Sequence, residues 1–314
     1  MNNDHSTKIT KRKVYAVRFG AALLMFIFGM LLAICGKAQH NNKGQTNFYA
    51  ITGKGLKDTS WLFGTYHLVK SSYLDEVPAV MHAFKKAKGI AVELVLDSAK
   101  LPVAASMGLL KDKTLSDLLD SPFKDSLDTE VKSTLGVGIA QINQLKPINV
   151  AITLSMIYII TDTKSPLQKY TGLPLDGYFA QTGKRAGKKI TEFETIEEQM
   201  NVLFNSSTNE EQVNQLKLFL RNKTDMINQG NELIENWFKH DLAGMYAVSE
   251  KGLAVFGNEN DFLKKRNDKW MQSIPGLMKK EPQFIAVGAL HLAGPFGLVE
   301  QLKQLGYTLT PVKL

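Results

Sequence analysis

The chain has 314 residues, 44% hydrophobic and 22% charged, with one cysteine and a formal charge of +8. This is globular composition with enough apolar surface for a sizeable core, and it excludes a disordered chain, a disulfide scaffold and a thiolate metal cage. Six of the 38 basic residues and one of the 30 acidic ones fall in residues 1–38, leaving 32 against 29 in the remainder. So small an excess is no footprint for a polyanion, and nucleic acid is not an expected partner.

At the start, Lys11-Arg12-Lys13 and Arg18 precede an uncharged apolar run from Phe19 to Cys35, and Gly36-Lys37-Ala38 places small residues before a cleavage point. This is the layout of a secretory signal over 1–38. The run is near the ~17 residues that can just span a bilayer, so an uncleaved anchor is a second reading. Lipidation at Cys35 is a third, although Ile34 stands where a small residue is expected. Each fate exports residues 39–314, so the protein is expected in the periplasm or cell envelope, touching membrane only through its N-terminal segment. Residues 39–46 form a short linker. No linker-like or low-complexity tract interrupts the rest, and 47–314 reads as one domain.

Residues 48–51 and 60–63 are β-favouring runs around Gly53-Lys54-Gly55 and Lys57-Asp58, which predicts a hairpin. Val77, Val80, Met81 and Phe84 predict a helix over 75–88 ended by Gly89, and residues 90–95 a buried strand. Residues 114–187 read as helical, interrupted at Pro122, Pro147 and Pro166, with a short strand at 188–193. Thr195 with Glu198, and Thr208 with Glu211, are capping boxes that open helices. The helical pattern continues to 272, with breaks near Gly244 and Gly257. A strand at 283–287, a helix at 295–305 and a strand at 307–313 close the chain.

The two ends are alike: Gly64-Thr65-Tyr66-His67-Leu68 is echoed by Gly288-Ala289-Leu290-His291-Leu292, each after an apolar strand and before a helix and another strand. Two related strand–GxxH–helix–strand half-units in one α/β sheet follow. Ligands of such sheets sit at strand ends, where His67 and His291 fall. Gly64 and Gly288 let the backbone turn and approach a ligand closely, and a neutral imidazole there binds a divalent metal or acts as general base. One GxxH alone is better explained by a histidine bonded to backbone; the matched pair favours a site.

Glu93 sits where an apolar strand should not bury a lone carboxylate, so it is either solvated at the strand terminus or partnered. Two histidines and a carboxylate make an incomplete shell with open positions, as water activation by a metal requires. Arg266-Asn267, beside Lys264-Lys265, reads as a charged helix face or as a pair that orients a carboxylate or substrate carbonyl. Asp176 fits a helix-start acid; Glu194 fits that or a site residue equally, and Gln199 follows it.

These motifs resemble the TraB/PrgY/GumN family, whose animal relatives are the Tiki proteases, over residues 47–313. The likeness rests on Gly64-Thr65-Tyr66-His67, Val92-Glu93-Leu94 and Gly288 to Gly294 with Gly297-Leu298. Leu175-Asp176, Glu194-Thr195 with Gln199, and Arg266-Asn267 upstream of Trp270 add to it, while Phe193 stands where the pattern often has leucine. The resemblance implies a central mixed sheet flanked by helices, related to erythromycin-esterase and haem-binding ChaN-like proteins. From the Tiki branch it implies peptidase activity supported by manganese or cobalt, with His67 and His291 as ligands and Glu93 as ligand or general base; zinc also suits such donors. The expectation is a cell-envelope metal-dependent hydrolase acting on peptide or protein, with Arg266 and Asn267 steadying substrate or oxyanion. Two alternatives stand beside it: a non-catalytic protein sequestering haem, metal or a signalling peptide, and an esterase with a metal-free histidine site.

Overall fold

The computed structural model describes residues 46–256 and 260–314. The leader expected over 1–38, the linker before Thr46 and the break expected at Gly257 lie outside the described residues. Strands β1 (Phe48–Thr52) and β2 (Ser60–Thr65) form the expected antiparallel hairpin, with Phe48 opposite Phe63 and Ile51 opposite Ser60. Its turn takes left-handed backbone at Gly53, Lys54 and Gly55, a conformation that costs glycine little.

Helix α1 (Pro78–Lys86) begins on a proline, whose missing N–H would have no partner in a first turn anyway. Gly89 does not end this helix. Ala87 caps it, and Gly89 opens β3 (Gly89–Val92) in extended conformation, where a Cβ would lie 2.5 Å from the Gln283 side-chain amide. The strand stops at Val92 instead of running to 95, and Glu93 therefore stands just beyond the sheet.

The helical middle holds α2 (Leu101–Met107), which the sequence pattern did not predict, then α3 (Leu115–Leu118), α4 (Ser121–Leu135), α5 (Pro147–Thr161) and α6 (Leu175–Arg185). Pro122 and Pro147 mark interruptions by opening α4 and α5, and Pro166 opens a short 3-10 turn. Strand β4 (Lys189–Glu192) leads into α7 (Ile196–Asn205) and α8 (Asn209–Arg221), both opened by the expected capping boxes. After α9 (Lys223–Phe238) the helical run breaks at residues 239–241, near Gly244 as expected, where His240 has a φ of +57°; Gly244 itself lies inside the first turn of α10 (Leu242–Phe256). Helices α11 (Lys265–Met271) and α12 (Ile274–Lys280), strand β5 (Gln283–Gly288), helix α13 (Leu298–Gln304) and strand β6 (Thr308–Pro311) complete the chain.

The fold is mixed α/β: a six-stranded sheet in the order β4-β3-β5-β2-β1-β6, with β1 antiparallel to both neighbours and the β4-β3-β5-β2 ladders parallel. Two consequences follow for the site. Strands β2 and β5 are immediate neighbours, Thr65 pairing with Gly288, so the two GxxH turns leave the sheet side by side. Strand β3 flanks β5 on its other side, which brings Glu93 to the same end. The two strand–helix–strand units differ in reach, since β5 lies between β2 and β3 whereas β2 and β1 lie between β5 and β6.

The core beside this sheet includes Phe48, Phe63, Phe84, Phe179 and Phe284, whose rings meet edge-on or tilted. Helix α5 is buried at 12 of 15 positions, which makes it an interior element instead of an amphipathic surface helix. Ile148, Ile152 and Met156 face the sheet core, while Val150, Ala151 and Leu154 enter a second cluster with Leu127, Val131, Leu216 and Phe219. Among the described residues, no helix is long and apolar enough to cross a membrane.

Candidate functional site

The parallel strands end at one rim, and the chain turns carry His67, Glu93, Glu194 and His291 out onto it. Neither GxxH glycine has positive φ, so conformational freedom is not why glycine stands there. Space is the reason. A Cβ on Gly64 would lie 2.9 Å from the Ala289 Cα, locking the two turns apart; one on Gly288 would lie 3.0 Å from Glu93 Oε1, 3.6 Å from His67 Nε2 and 3.7 Å from His291 Cδ2. The absent side chain of Gly288 therefore leaves a small space on which both histidines and the glutamate converge.

Glu93 is buried and fully engaged. Its Oε1 accepts the Gly288 N–H at 2.6 Å, and its Oε2 accepts from Arg266 Nη2 at 2.8 Å and from Gln199 Nε2 at 3.2 Å. Burial raises its pKa, and the charges of Arg266 and His67 partly offset that. The guanidinium is the hub: Nε donates to Glu194 Oε1 at 2.8 Å, Nη1 to the Phe262 carbonyl at 3.1 Å and to His291 Nε2 at 2.9 Å. Trp270, one helical turn after Arg266 on α11, lies 5.0 Å beneath the guanidinium carbon, packs on the His291 ring at 4.3 Å and donates its indole N–H to Glu194 Oε1 at 2.9 Å. This indole holds the guanidinium in one plane.

The two imidazoles are oriented in the same way but charged differently. His291 Nδ1 donates to Asn267 Oδ1 at 2.7 Å, and its Nε2 lone pair accepts from Arg266, so the network assigns a neutral ring. Burial, then the Arg266 and His67 charges, hold its pKa well below 6.5. His67 Nδ1 bonds Asp176 Oδ2 at 2.7 Å, and Asp176 Oδ1 accepts from the Thr65 hydroxyl at 2.6 Å. Burial would lower the His67 pKa, but the Asp176 carboxylate outweighs it and carries the value up to about 9. For Asp176, burial works upward and the His67 charge prevails, leaving it below the usual carboxylate value.

Of the site residues expected from sequence, Glu93, Gln199, Glu194, Arg266, Asn267, His291 and the Gly288 N–H form one hydrogen-bonded network, His67 and Asp176 form a second beside it, and Gly64 packs against Ala289. Asn267 spends its side chain on His291 and on the carbonyls of His291 and Phe296, and so positions the ring. Asp176 is no mere helix-start acid, since its carboxylate orients His67. Sequence reading did not single out Thr65 and Trp270 as site residues; the four-residue step from Arg266 to Trp270 on one helix face was the available signal. Beside His67 and Glu93 opens a cavity of about 100 Å³ with Leu94, Leu96, Leu173, Ile196 and Met200 in its wall.

The donor set suits a divalent cation in kind. Both histidines have Nδ1 tied to an oxygen, the outer-shell arrangement that presents Nε2 as a ligand, and Glu93 Oε1 faces the same space beside Gly288. As the side chains stand, no three His, Cys, Asp or Glu among the described residues are grouped as ligands to one ion, and Arg266 donates to both His291 Nε2 and Glu93 Oε2. A cation taken up here has to displace that guanidinium contact and the proton on His67.

An α/β sheet with paired strand-end histidines, a buried glutamate and a guanidinium hub defines the class of site. The TraB/PrgY/gumN family model matches residues 47–311, so the chain belongs to the TraB/PrgY/gumN family. No curated protein and no solved structure matches the chain.

Proposed function

We propose that this chain is a metal-dependent hydrolase of the cell envelope, cleaving peptide bonds in a peptide or protein substrate. The observation that supports the reading is the convergence of His67 Nε2, Glu93 Oε1 and the His291 ring on the space that Gly288 leaves open. His67, His291 and Glu93 would hold the cation, manganese, cobalt or zinc, which when bound supplies a more acidic water and a polarised carbonyl. Asp176 and Asn267 fix the two rings with Nε2 inward. Where it does not ligate the cation, Glu93 would serve as general base, and Arg266 offers fixed positive charge beside the centre for a developing oxyanion. The apolar cavity beside His67 has room for about three waters at ~30 Å³ each. Its largely apolar wall suits one substrate side chain. We also read the two strand–GxxH–helix–strand segments as related half-units, on the likeness of Gly64–Leu68 to Gly288–Leu292 and the adjacency of β2 and β5.

Calorimetric titration of the chelator-stripped chain with Mn²⁺ and Zn²⁺, beside His67→Ala/His291→Ala, tests the reading. Stoichiometric uptake that the double variant loses, with peptide hydrolysis that chelator abolishes, is expected. Hydrolysis that survives chelation would move the function to a metal-free histidine site, and the absence of both uptake and hydrolysis would leave a binding protein.

A further inference from the structure

At the opposite end of the sheet, where β2, β3 and β5 begin, lies a second concavity of about 570 Å³. Six residues of β2 at ~3.3 Å each separate it from the histidines by about 20 Å. Lys57 from the β1–β2 turn, Lys86 and Lys88 around the end of α1, and Lys279 and Lys280 from the end of α12 line it, against Asp58 and Glu281. All five lysines are exposed, and none forms an ion pair with a described residue. Lys86, Lys279 and Lys280 lie in last turns, where a cation offsets the carbonyl end of a helix; Lys57 and Lys88 lie in no helix, so helix ends do not account for them. With five cations against two carboxylates, the wall carries a net positive charge, and a concave wall of that kind concentrates anions.

Trp61 stands in the same wall, half-buried. Trp237 and Trp270 both pack against other rings, while Trp61 has no ring partner among the described residues. An indole face beside uncommitted ammonium groups suits a sugar ring bearing acidic groups, and the volume lies within the ~300–1,000 Å³ usual for small-molecule sites.

We propose that this cleft binds a phosphorylated saccharide, its phosphates held by the lysines and its ring laid on Trp61. The site is independent of chemistry at the other rim. The same chemistry is offered by a soluble sugar phosphate and by the headgroup of a phosphorylated glycolipid, and the test separates them. The full chain is titrated by calorimetry with glucose 1,6-bisphosphate, glucose and inorganic pyrophosphate, and mixed with phosphatidylcholine vesicles that are plain or carry lipid A or phosphatidylglycerol. Lys86→Glu/Lys88→Glu/Lys280→Glu and Trp61→Leu are measured alongside. Saturable binding of the bisphosphate is expected, weakened about tenfold or more by the triple charge reversal and severalfold by Trp61→Leu, with no response to glucose. Capture of lipid A vesicles without binding of the free bisphosphate supports the proposal with a lipid-borne source. Pyrophosphate binding as tight as the bisphosphate, equal capture of phosphatidylglycerol vesicles, unchanged binding by the triple variant, or no binding of any phosphorylated sugar each overturns it.

Discussion

Gly288 carries no functional group, yet it sets the geometry of three that do. In Gly288→Ala the new Cβ meets Glu93 Oε1 at 3.0 Å. On the proposed function, peptide hydrolysis is expected to fall by about a hundredfold, the order of loss for a ~1 Å misplacement, with modest change in urea stability. Unchanged turnover would place the reacting centre elsewhere. Arg266 acts on stability as well as on the site, since it is buried between Glu93 and Glu194. Arg266→Met should cost about 3–5 kcal/mol in urea unfolding, because two carboxylates lose their partner. Tighter Mn²⁺ binding by that variant is the accompanying expectation, since it frees His291 Nε2; equal or weaker binding would count against competition between cation and guanidinium. The His67–Asp176 pair makes a pH-dependent contribution. Its histidine is raised from 6.5 to about 9, so that contribution is complete below pH 6.5 and is lost as pH rises through about 9. Its carboxylate is depressed from 3.8, so the contribution is also lost as pH falls through that lower pKa. The stability gap between the native chain and Asp176→Asn is therefore expected to be widest from about pH 4 to 6.5 and to narrow towards pH 9; a gap independent of pH would rule the ion pair out.

Local chemistry and long-range packing decide different elements. The capping boxes at Thr195 and Thr208 were legible because donor and acceptor lie three residues apart. The hairpin was legible for the same reason, its turn residues lying between its strands. Gly89 was misread because its reason is distant: the Gln283 side chain fills the space of a Cβ. The end of β3 was misread because apolar Leu94 and Val95 continue the pattern after the chain has left the sheet. Helix α5 is the element on which two clusters depend. Leu154→Ala, at a fully buried position in the second cluster, should cost about 2–5 kcal/mol in a urea titration. A cost below about 1 kcal/mol would mean that the helix is not a shared interior wall.

Across the whole molecule, the sheet order brings the site together. Residues 67, 93 and 291 meet because β5 inserts between β2 and β3. If these residues hold a cation, binding to the folded state alone must stabilise the entire chain by mass action. Thermal unfolding should shift upward with Mn²⁺ and fall back on chelation, and His67→Ala/His291→Ala should show neither change; an equal shift in the double variant would assign the effect to surface sites.

The sequence by itself determined the α/β class, the repeated GxxH motif, the family likeness and the residue types of the site, since these follow from local periodicity and from spacing along the chain. It also placed Glu93 beside an apolar strand, where a carboxylate needs a partner. Only the tertiary structure decided who the partners are: Asp176 for His67 from 109 residues away, and Arg266 for Glu93 from 173. It also decided that glycine stands at 64 and 288 for space and not for backbone freedom. Hydrogen bonds and excluded volume act through a few ångströms of space, and the chain brings distant residues within that reach only by assembling its sheet.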